Sequence, residues 1–300
     1  MGSSVFHPDL RRAARFIPRQ GVGPRALPVI RALTGLQGRR TPADVEVLEL
    51  PAGASVRVFR PPRPSADPGP ALLWIHGGGY VIGTAAQDDR LCRRFAADLG
   101  ATIASVDYRL APEHPYPAAL DDCWAALLRL AGLPGVDPAR IAIGGASAGG
   151  GLAAALAQWA ADRGDVTPVL QLLVYPMLDD RSSALPRNRD YRLWTARSNR
   201  FGWDAYLGGA DPQSVVPARR ADLKGLAPAW IGVGTLDLFH DEDLAYAQRL
   251  RQAGVPCAVE TVPGAFHGFD LLLPKAGVSQ SFFASQCASL RDAFTASRNG

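Results

Sequence analysis

Apolar residues along this chain follow three patterns: short runs that are apolar throughout, stretches in which they recur every three or four positions, and two segments that alternate. The alternating segments, Val45 to Leu50 and Ser55 to Arg60, flank Pro51-Ala52-Gly53 and predict a hairpin. Ala71 to Ile75 is the first continuous run and predicts a strand buried on both faces. Ala101 to Asp107, Arg140 to Gly144, Val169 to Tyr175, Ala229 to Gly234 and Cys257 to Val262 follow as further strands. Helical spacing fills the gaps at Arg90 to Leu99, Ala118 to Ala131, Leu152 to about Arg163, Asp241 to Ala253 and Ser279 to Thr295. Strands alternating with helices in this way predict an α/β fold, a mostly parallel central sheet with helices on both faces.

Two regions depart from the alternation. From Val5 to Leu36 the pattern is helical but interrupted at Pro18, Pro24 and Pro28, with Phe6, Leu10, Ala14 and Ile17 on one face. Short helices lying over an apolar surface are expected here, because Phe6, Phe16, Ile17, Leu27, Val29, Ile30 and Leu33 are too many large apolar groups to leave in water. Gly21 to Ala26 imitates a dinucleotide-binding turn, but no strand precedes it and Pro24 spoils the turn. The second region, between Tyr175 and Pro228, lacks a strand, is too long for a simple crossover and carries Tyr191, Trp194, Phe201, Trp203 and Tyr206. An aromatic insertion at that place predicts a lid over the carboxyl ends of the strands, where α/β proteins bind ligands. The organisation expected is N-terminal cap helices in 1–44, the first part of the core in 45–179, a cap insertion in 180–215 and the rest of the core in 216–300.

Composition narrows the partners. The chain has 300 residues, 47% of them hydrophobic, and a formal charge of +4 from 32 basic and 28 acidic side chains. The basic residues are scattered rather than gathered with aromatics, which argues against nucleic acid as a partner. Cys92, Cys123, Cys257 and Cys287 are widely spaced, so neither a disulfide framework nor a zinc site is expected, and four free thiols suit the cytoplasm. No secretory leader is visible. Ile141 to Ala161 carries no charge and is long enough to span a bilayer, but its glycines, Ser147 and Gln158 favour one strand followed by one helix, with no membrane span.

The chemistry centres on Gly145-Ala146-Ser147-Ala148-Gly149, a G-x-S-x-G sequence between a predicted strand and a predicted helix. Small neighbours allow a sharp, strained turn that lifts the serine hydroxyl above the sheet, although a glycine-rich turn whose serine only caps the helix has the same composition. A serine hydroxyl becomes a nucleophile when a base takes its proton and an acid orients the base. Of the five histidines, His267 is the best-placed base, in a loop just past the last predicted strand; hydrogen-bonded structural roles are expected for His7, His76, His114 and His240. Asp237 is the first carboxylate after the preceding strand, whereas Asp241, Glu242 and Asp243 fit a helix first turn, where the dipole favours negative charge. The resulting order, Ser147, Asp237, His267, is that of α/β-hydrolases. His76-Gly77-Gly78-Gly79 ends the strand Ala71 to Ile75, and glycines let backbone N–H groups approach a developing oxyanion. The donors assigned are those of Gly78, Gly79 and Ala148, with Gly77 in reserve.

HGGGYVIGT at His76 to Thr84, DYRLAPEHPYPAAL at Asp107 to Leu120, GASAGGGLAAALA at Gly145 to Ala157, GTLDLFHDED at Gly234 to Asp243 and GAFHGF at Gly264 to Phe269 together resemble the bacterial hormone-sensitive-lipase-like carboxylesterases. The resemblance implies an α/β-hydrolase core, a helical cap, no metal, no organic cofactor, a small-molecule ester as substrate and homodimerisation through an edge strand and the last helix. Many relatives carry Asp where this chain has Ala146, so the hydrogen bonding around the serine turn differs. Tyr108, Arg109 and Glu113 are expected to brace the scaffold, the last two as an Arg/Glu pair. The function expected is a serine carboxylesterase acting on short- to medium-chain esters through an acyl-serine; an amidase or formamidase, a lipase and a catalytically silent ligand-binding relative are the alternatives.

Overall fold

The computed structural model describes residues 5–19, 21–37, 41–63, 67–185 and 188–297. Strands β1 (Glu46–Glu49), β2 (Ser55–Phe59), β3 (Gly69–Ile75), β4 (Thr102–Asp107), β5 (Val136–Ala146), β6 (Gln171–Val174), β7 (Ala229–Leu236) and β8 (Cys257–Phe266) form one sheet in the spatial order β1-β2-β4-β3-β5-β6-β7-β8. The pairings β1 with β2 and β2 with β4 are antiparallel, and the rest are parallel. The described α-helices are α1 (Leu27–Gln37), α2 (Asp89–Leu99), α3 (Ala118–Ala131), α4 (Ala148–Arg163), α5 (Ala196–Leu207), α6 (Pro212–Val215), α7 (His240–Gln252), α8 (Phe269–Leu272) and α9 (Gly277–Ala296), alongside short 3₁₀ turns.

The side chains of β3 show why the sheet reads as continuous apolar runs. Successive residues on a strand face opposite sides. Leu73 and Ile75 join a core with Leu120, Leu152 and Leu250, from α3, α4 and α7; Leu72 and Trp74 join a second core with Phe95 and Leu290, from α2 and α9. Both faces are therefore dry, and neither alternate position has reason to be polar.

Several boundaries differ from those expected. β3 starts at Gly69, two residues before the expected Ala71, because Gly69 N–H donates to Gly135 O at 2.9 Å and pairs with Val136, which also starts β5 earlier than Arg140. β8 does not stop at Val262: Pro263-Gly264 forms a bulge, after which pairing resumes at Leu236 with Phe266.

The N-terminal segment also needs correction. Leu10 and Ala14 are buried and Phe6 and Ile17 pack against the same core, as their spacing predicts, but Phe16, Val29 and Leu33 are largely exposed. The three prolines leave only α1 as a long helix, and its Val29 and Leu33 face solvent. The segment is held instead by backbone bonds: His7 N–H to Gly264 O at 2.9 Å, and Leu193 N–H to Pro18 O at 3.1 Å. Arg192 ties the same segment to the insertion, donating Nε–H to Ala14 O at 2.7 Å with its guanidinium 4.6 Å from the Phe6 ring centre.

Candidate active site

Ser147 occupies the junction between β5 and α4 with φ 58° and ψ −120°, a conformation few residues with a side chain adopt. Such strain costs about 1–3 kcal/mol and persists only where the surroundings over-determine it. Here the Ser147 N–H donates to Val174 O at 2.9 Å, and its carbonyl accepts from Gly151 N at 3.0 Å and Met177 N at 2.9 Å. Gly149 is required by close approach: a Cβ there would strike the carbonyl oxygens of Ile75 and His76. Turn and strand end are thus packed backbone to backbone, with the hydroxyl aimed outward.

That hydroxyl lies 2.9 Å from His267 Nε2, and His267 Nδ1 lies 2.8 Å from Asp237 Oδ2. The three residues anticipated from sequence are therefore one hydrogen-bonded chain, and all are buried, Asp237 almost completely. The other Asp237 oxygen accepts from Phe239 N at 3.1 Å, so the carboxylate cannot rotate without losing a bond. The His267 ring is also gripped edgewise, by Phe239 at 5.2 Å and Tyr175 at 4.8 Å between ring centres. Tyr175 is itself anchored by its hydroxyl, which donates to Asp270 Oδ1 at 2.7 Å. Neither aromatic was singled out in the sequence for this role, because contacts of that kind arise only when separate strand ends meet.

Facing the serine, a Cβ on Gly77 would come within 2.9 Å of Ala146 O and 3.3 Å of Ser147 Cβ, so the glycine loop after β3 lies directly against the turn. Among the described residues, none offers an acceptor to the N–H of Gly78, Gly79 or Ala148. The carbonyl at the other side of each of these three peptides is held twice. Gly77 O accepts from His76 Nδ1 at 2.8 Å and Gln87 Nε2 at 3.3 Å; Gly78 O accepts from Val81 N at 3.1 Å and Ile82 N at 3.0 Å; Ser147 O accepts from Gly151 N and Met177 N. A trans peptide is planar with C=O and N–H opposed, so fixing the oxygen fixes the direction of the N–H.

The remaining histidines are engaged elsewhere. His76 is fully buried, stacked on Tyr108 with ring centres 4.3 Å apart, and burial holds its pKa below the usual histidine value. His7 accepts from Asp9 N at 3.2 Å, and His240 bonds Asp241 at 2.7 Å. His114 sits in a turn where its own N–H donates to Leu110 O at 3.0 Å.

Asp241, Glu242 and Asp243 stand on the first turn of α7 as expected, whereas the expected Arg/Glu pair is corrected. Asp241 is exposed on the first turn of α7, but Glu242 and Asp243 are buried. Glu242 Oε1 accepts from Leu178 N at 2.7 Å and Asp179 N at 3.1 Å, tying α7 to the chain beyond β6, and burial pushes both carboxyl groups well above the usual carboxylate range. Arg109 and Glu113 do not pair with each other. Arg109 bonds Asp122 at 2.8 Å on α3, and Glu113 bonds Arg31 at 2.7 Å on α1. Spacing on one loop cannot reveal partners that arrive from distant helices. Tyr108 does brace the loop, its hydroxyl donating to His76 O at 3.0 Å.

The insertion meets the site through two adjacent residues. Trp194 lies against Gly79, where a Cβ would run into its indole, and Leu193 Cδ1 lies 3.1 Å from the Cβ position of Gly268, beside His267. Farther along, Trp203 and Tyr206 pack on Tyr80, immediately after the glycine loop, at 5.2 and 4.1 Å between ring centres.

Comparison with known proteins identifies the fold family. A family model described as alpha/beta hydrolase fold matches residues 72–271. Esterase LipI of Mycobacterium tuberculosis is 37% identical over 270 residues, which cover 87% of this chain and 80% of LipI. Carboxylesterase NlhH of the same species is 40% identical over 240 residues, covering 74% of this chain and 73% of NlhH. Among solved structures, a bacterial heroin esterase superposes with a TM-score of 0.85 at 36% identity, covering 97% of this chain and 98% of that one. With the glycine loop, the serine turn and the sheet order all in place, the chain belongs to the α/β-hydrolase fold family, in its hormone-sensitive-lipase-like group.

Proposed function

We propose that this ester-hydrolysing enzyme is a serine carboxylesterase for small esters with short to medium acyl chains. The observation that carries the proposal is the continuous chain of bonds from Asp237 through His267 to the Ser147 hydroxyl, beside three N–H groups that have no acceptor among the described residues. In the first step His267 Nε2 takes the Ser147 proton while Oγ attacks the ester carbonyl carbon. The carbonyl oxygen becomes an oxyanion and accepts from the N–H groups of Gly78, Gly79 and Ala148. The tetrahedral intermediate expels the alcohol, which receives the proton from His267, and leaves an acyl-serine. His267 then deprotonates a water that attacks the acyl carbon, and collapse of the second intermediate releases the carboxylic acid and restores Ser147. Asp237 holds Nδ1–H throughout and stabilises the transient imidazolium.

The acyl-length preference is supported by Trp194, a bulky indole that stands against Gly79, one of the proposed oxyanion donors. Residues 1–44 and 180–215 act together as the cap, a role supported by the bonds that join them and by the contacts of Leu193 and Trp194 with the site. Four free cysteines support a cytoplasmic location, and no helix among the described residues is long and apolar enough to cross a membrane. Homodimerisation through the edge strand β8 and α9 follows from the family resemblance, and sedimentation gives the mass that tests it.

The test of the catalytic reading is turnover of p-nitrophenyl acetate and butyrate by the wild type and Ser147→Ala. The variant should lose about 10⁴-fold or more in kcat, and equal rates for the two proteins would end the proposal.

A further inference from the structure

The three peptides around the proposed oxyanion site differ in how their carbonyls are held. Those of Gly78 and Ser147 are fixed by backbone N–H groups alone, part of turns that form with the fold. The Gly77 carbonyl is fixed by side chains alone, His76 Nδ1 on one side and Gln87 Nε2 on the other. His76 follows β3 and is buried, with its ring clamped against Tyr108. Gln87 comes from a separate element, a 3₁₀ turn at Ala85–Asp88. The start of that turn is held by bonds from three consecutive N–H groups: Thr84 Oγ1 accepts from Ala86 N at 3.3 Å, Thr84 O accepts from Gln87 N at 3.1 Å, and Asp107 Oδ1, at the end of β4, accepts from Ala85 N at 2.8 Å. Gly83 makes room for the meeting, since a Cβ there would stand 2.7 Å from both Gly77 O and His76 Nδ1.

We infer that Gln87 is a positioning residue for ester hydrolysis: by donating to the Gly77 carbonyl it aims the Gly78 N–H at the oxyanion that forms on substrate. The reason is the rigidity of the peptide unit. The Gly77–Gly78 peptide is flanked by glycines, whose backbone torsions are the least restricted, and the plane can swing unless its oxygen is tied down. His76 alone supplies one fixed point; a second donor from another element removes the remaining freedom about that bond. A preorganised donor stabilises developing charge without reorganising during the reaction, so the effect belongs to the transition state and leaves ground-state binding little changed. The ionised oxygens of a glutamate at this position would face the carbonyl as acceptor to acceptor and push the peptide the wrong way, with nearly the same shape and volume.

This inference rests on the serine mechanism proposed above, so its test includes Ser147→Ala. Gln87→Leu, Gln87→Glu and Gln87→His are assayed at pH 8 on p-nitrophenyl butyrate, together with inhibition by an alkyl trifluoromethyl ketone, which forms a tetrahedral adduct carrying an oxyanion. The Leu and Glu variants should lose about tenfold in kcat, less than the loss of a whole donor, with KM within about twofold of wild type. Inhibitor affinity should fall by a similar factor, and the His variant, which restores a donor, should recover most of both. Should the Leu variant fail to fold, the isosteric Glu variant decides alone. Wild-type kcat and inhibitor affinity in Gln87→Glu, or a change confined to KM, would overturn the inference. An inactive Ser147→Ala beside an unaffected Gln87→Glu would condemn only the role of Gln87, whereas a fully active Ser147→Ala would remove the mechanism beneath it.

Discussion

Leu236 pairs with Phe266 at the last rung between β7 and β8, beyond a bulge in which β7 has one residue, Thr235, and β8 has three, Pro263 to Ala265. Asp237 and His267 are the next residue on each strand, and their side chains meet at 2.8 Å. The bulge therefore sets the registration of acid and base. With the earlier register, in which Gly234 faces Val262, continuation would place Asp237 opposite Ala265 and leave the histidine two residues farther on.

Asp237→Asn should separate this orienting role from packing. The amide has nearly the same shape and still has an oxygen for the Phe239 N–H, but its NH₂ group favours the imidazole tautomer with the proton on Nε2, where the base is needed. A fall in kcat of about 10⁴-fold near neutral pH, with the melting temperature almost unchanged, is the expected result. Steady-state kinetics and thermal denaturation of the same preparations check it, and a loss below about tenfold would show that orientation by Asp237 matters little.

Trp194 and Gly79 form a pair that can be tested by a cycle. Gly79→Ala drives a methyl group into the indole at a residue with φ 59°, so activity should drop at least about a hundredfold, as for loss of an oxyanion donor. Trp194→Ala removes the obstacle, costs about 3–5 kcal/mol of stability if the cavity does not collapse, and should raise the ratio of octanoate to acetate turnover. The double variant should regain part of what Gly79→Ala loses. Strict additivity of the two single effects on kcat/KM would mean that the contact does not limit the site.

Asp88 offers a stability prediction with a defined pH window. It is buried, accepts from Trp74 Nε1 at 2.8 Å, and burial, with Asp270 and Asp89 nearby, pushes its carboxyl up to about 7. The folded protein holds this proton where the unfolded chain has released it, so the contribution is full below about pH 4 and is lost as pH rises through about 7, a total near 4 kcal/mol. Asp88→Asn removes that dependence. The stability of the variant relative to wild type should rise by about 2–3 kcal/mol between pH 5 and pH 8, as read from urea unfolding at the two pH values, and a difference that is flat with pH would contradict the assignment.

Asp122 tests the scaffold apart from the chemistry. It is buried on α3 and accepts from both the backbone N–H of Arg109, at 2.9 Å, and its guanidinium. Asp122→Ala leaves that partly buried cation and N–H without their acceptor, and should cost about 3 kcal/mol while KM and kcat of the folded fraction stay near wild type. Denaturation midpoints with active-site titration distinguish this outcome from a role in turnover.

Much of this protein could be read locally. Continuous apolar runs made a doubly covered sheet, because a strand buried on both faces has no polar side. Small residues around Ser147 specified a strained turn, and the glycines after His76 specified a backbone free to present N–H groups. The chain order of Ser147, Asp237 and His267 followed from counting which polar residue came after which strand. Tertiary structure decided the rest. Pro263-Gly264 marks the end of a strand by its chemistry, yet β8 continues through it because β7 is there to pair with. Glu242 and Asp243 read as first-turn helix charges, yet α7 lies against the chain beyond β6 and takes them out of water. The partners of Arg109, Glu113 and Gly77 come from Asp122, Arg31 and Gln87, each on another element. Local pattern records what a residue prefers over a few neighbours; which distant donor or acceptor satisfies it is settled only when the sheet and its helices close.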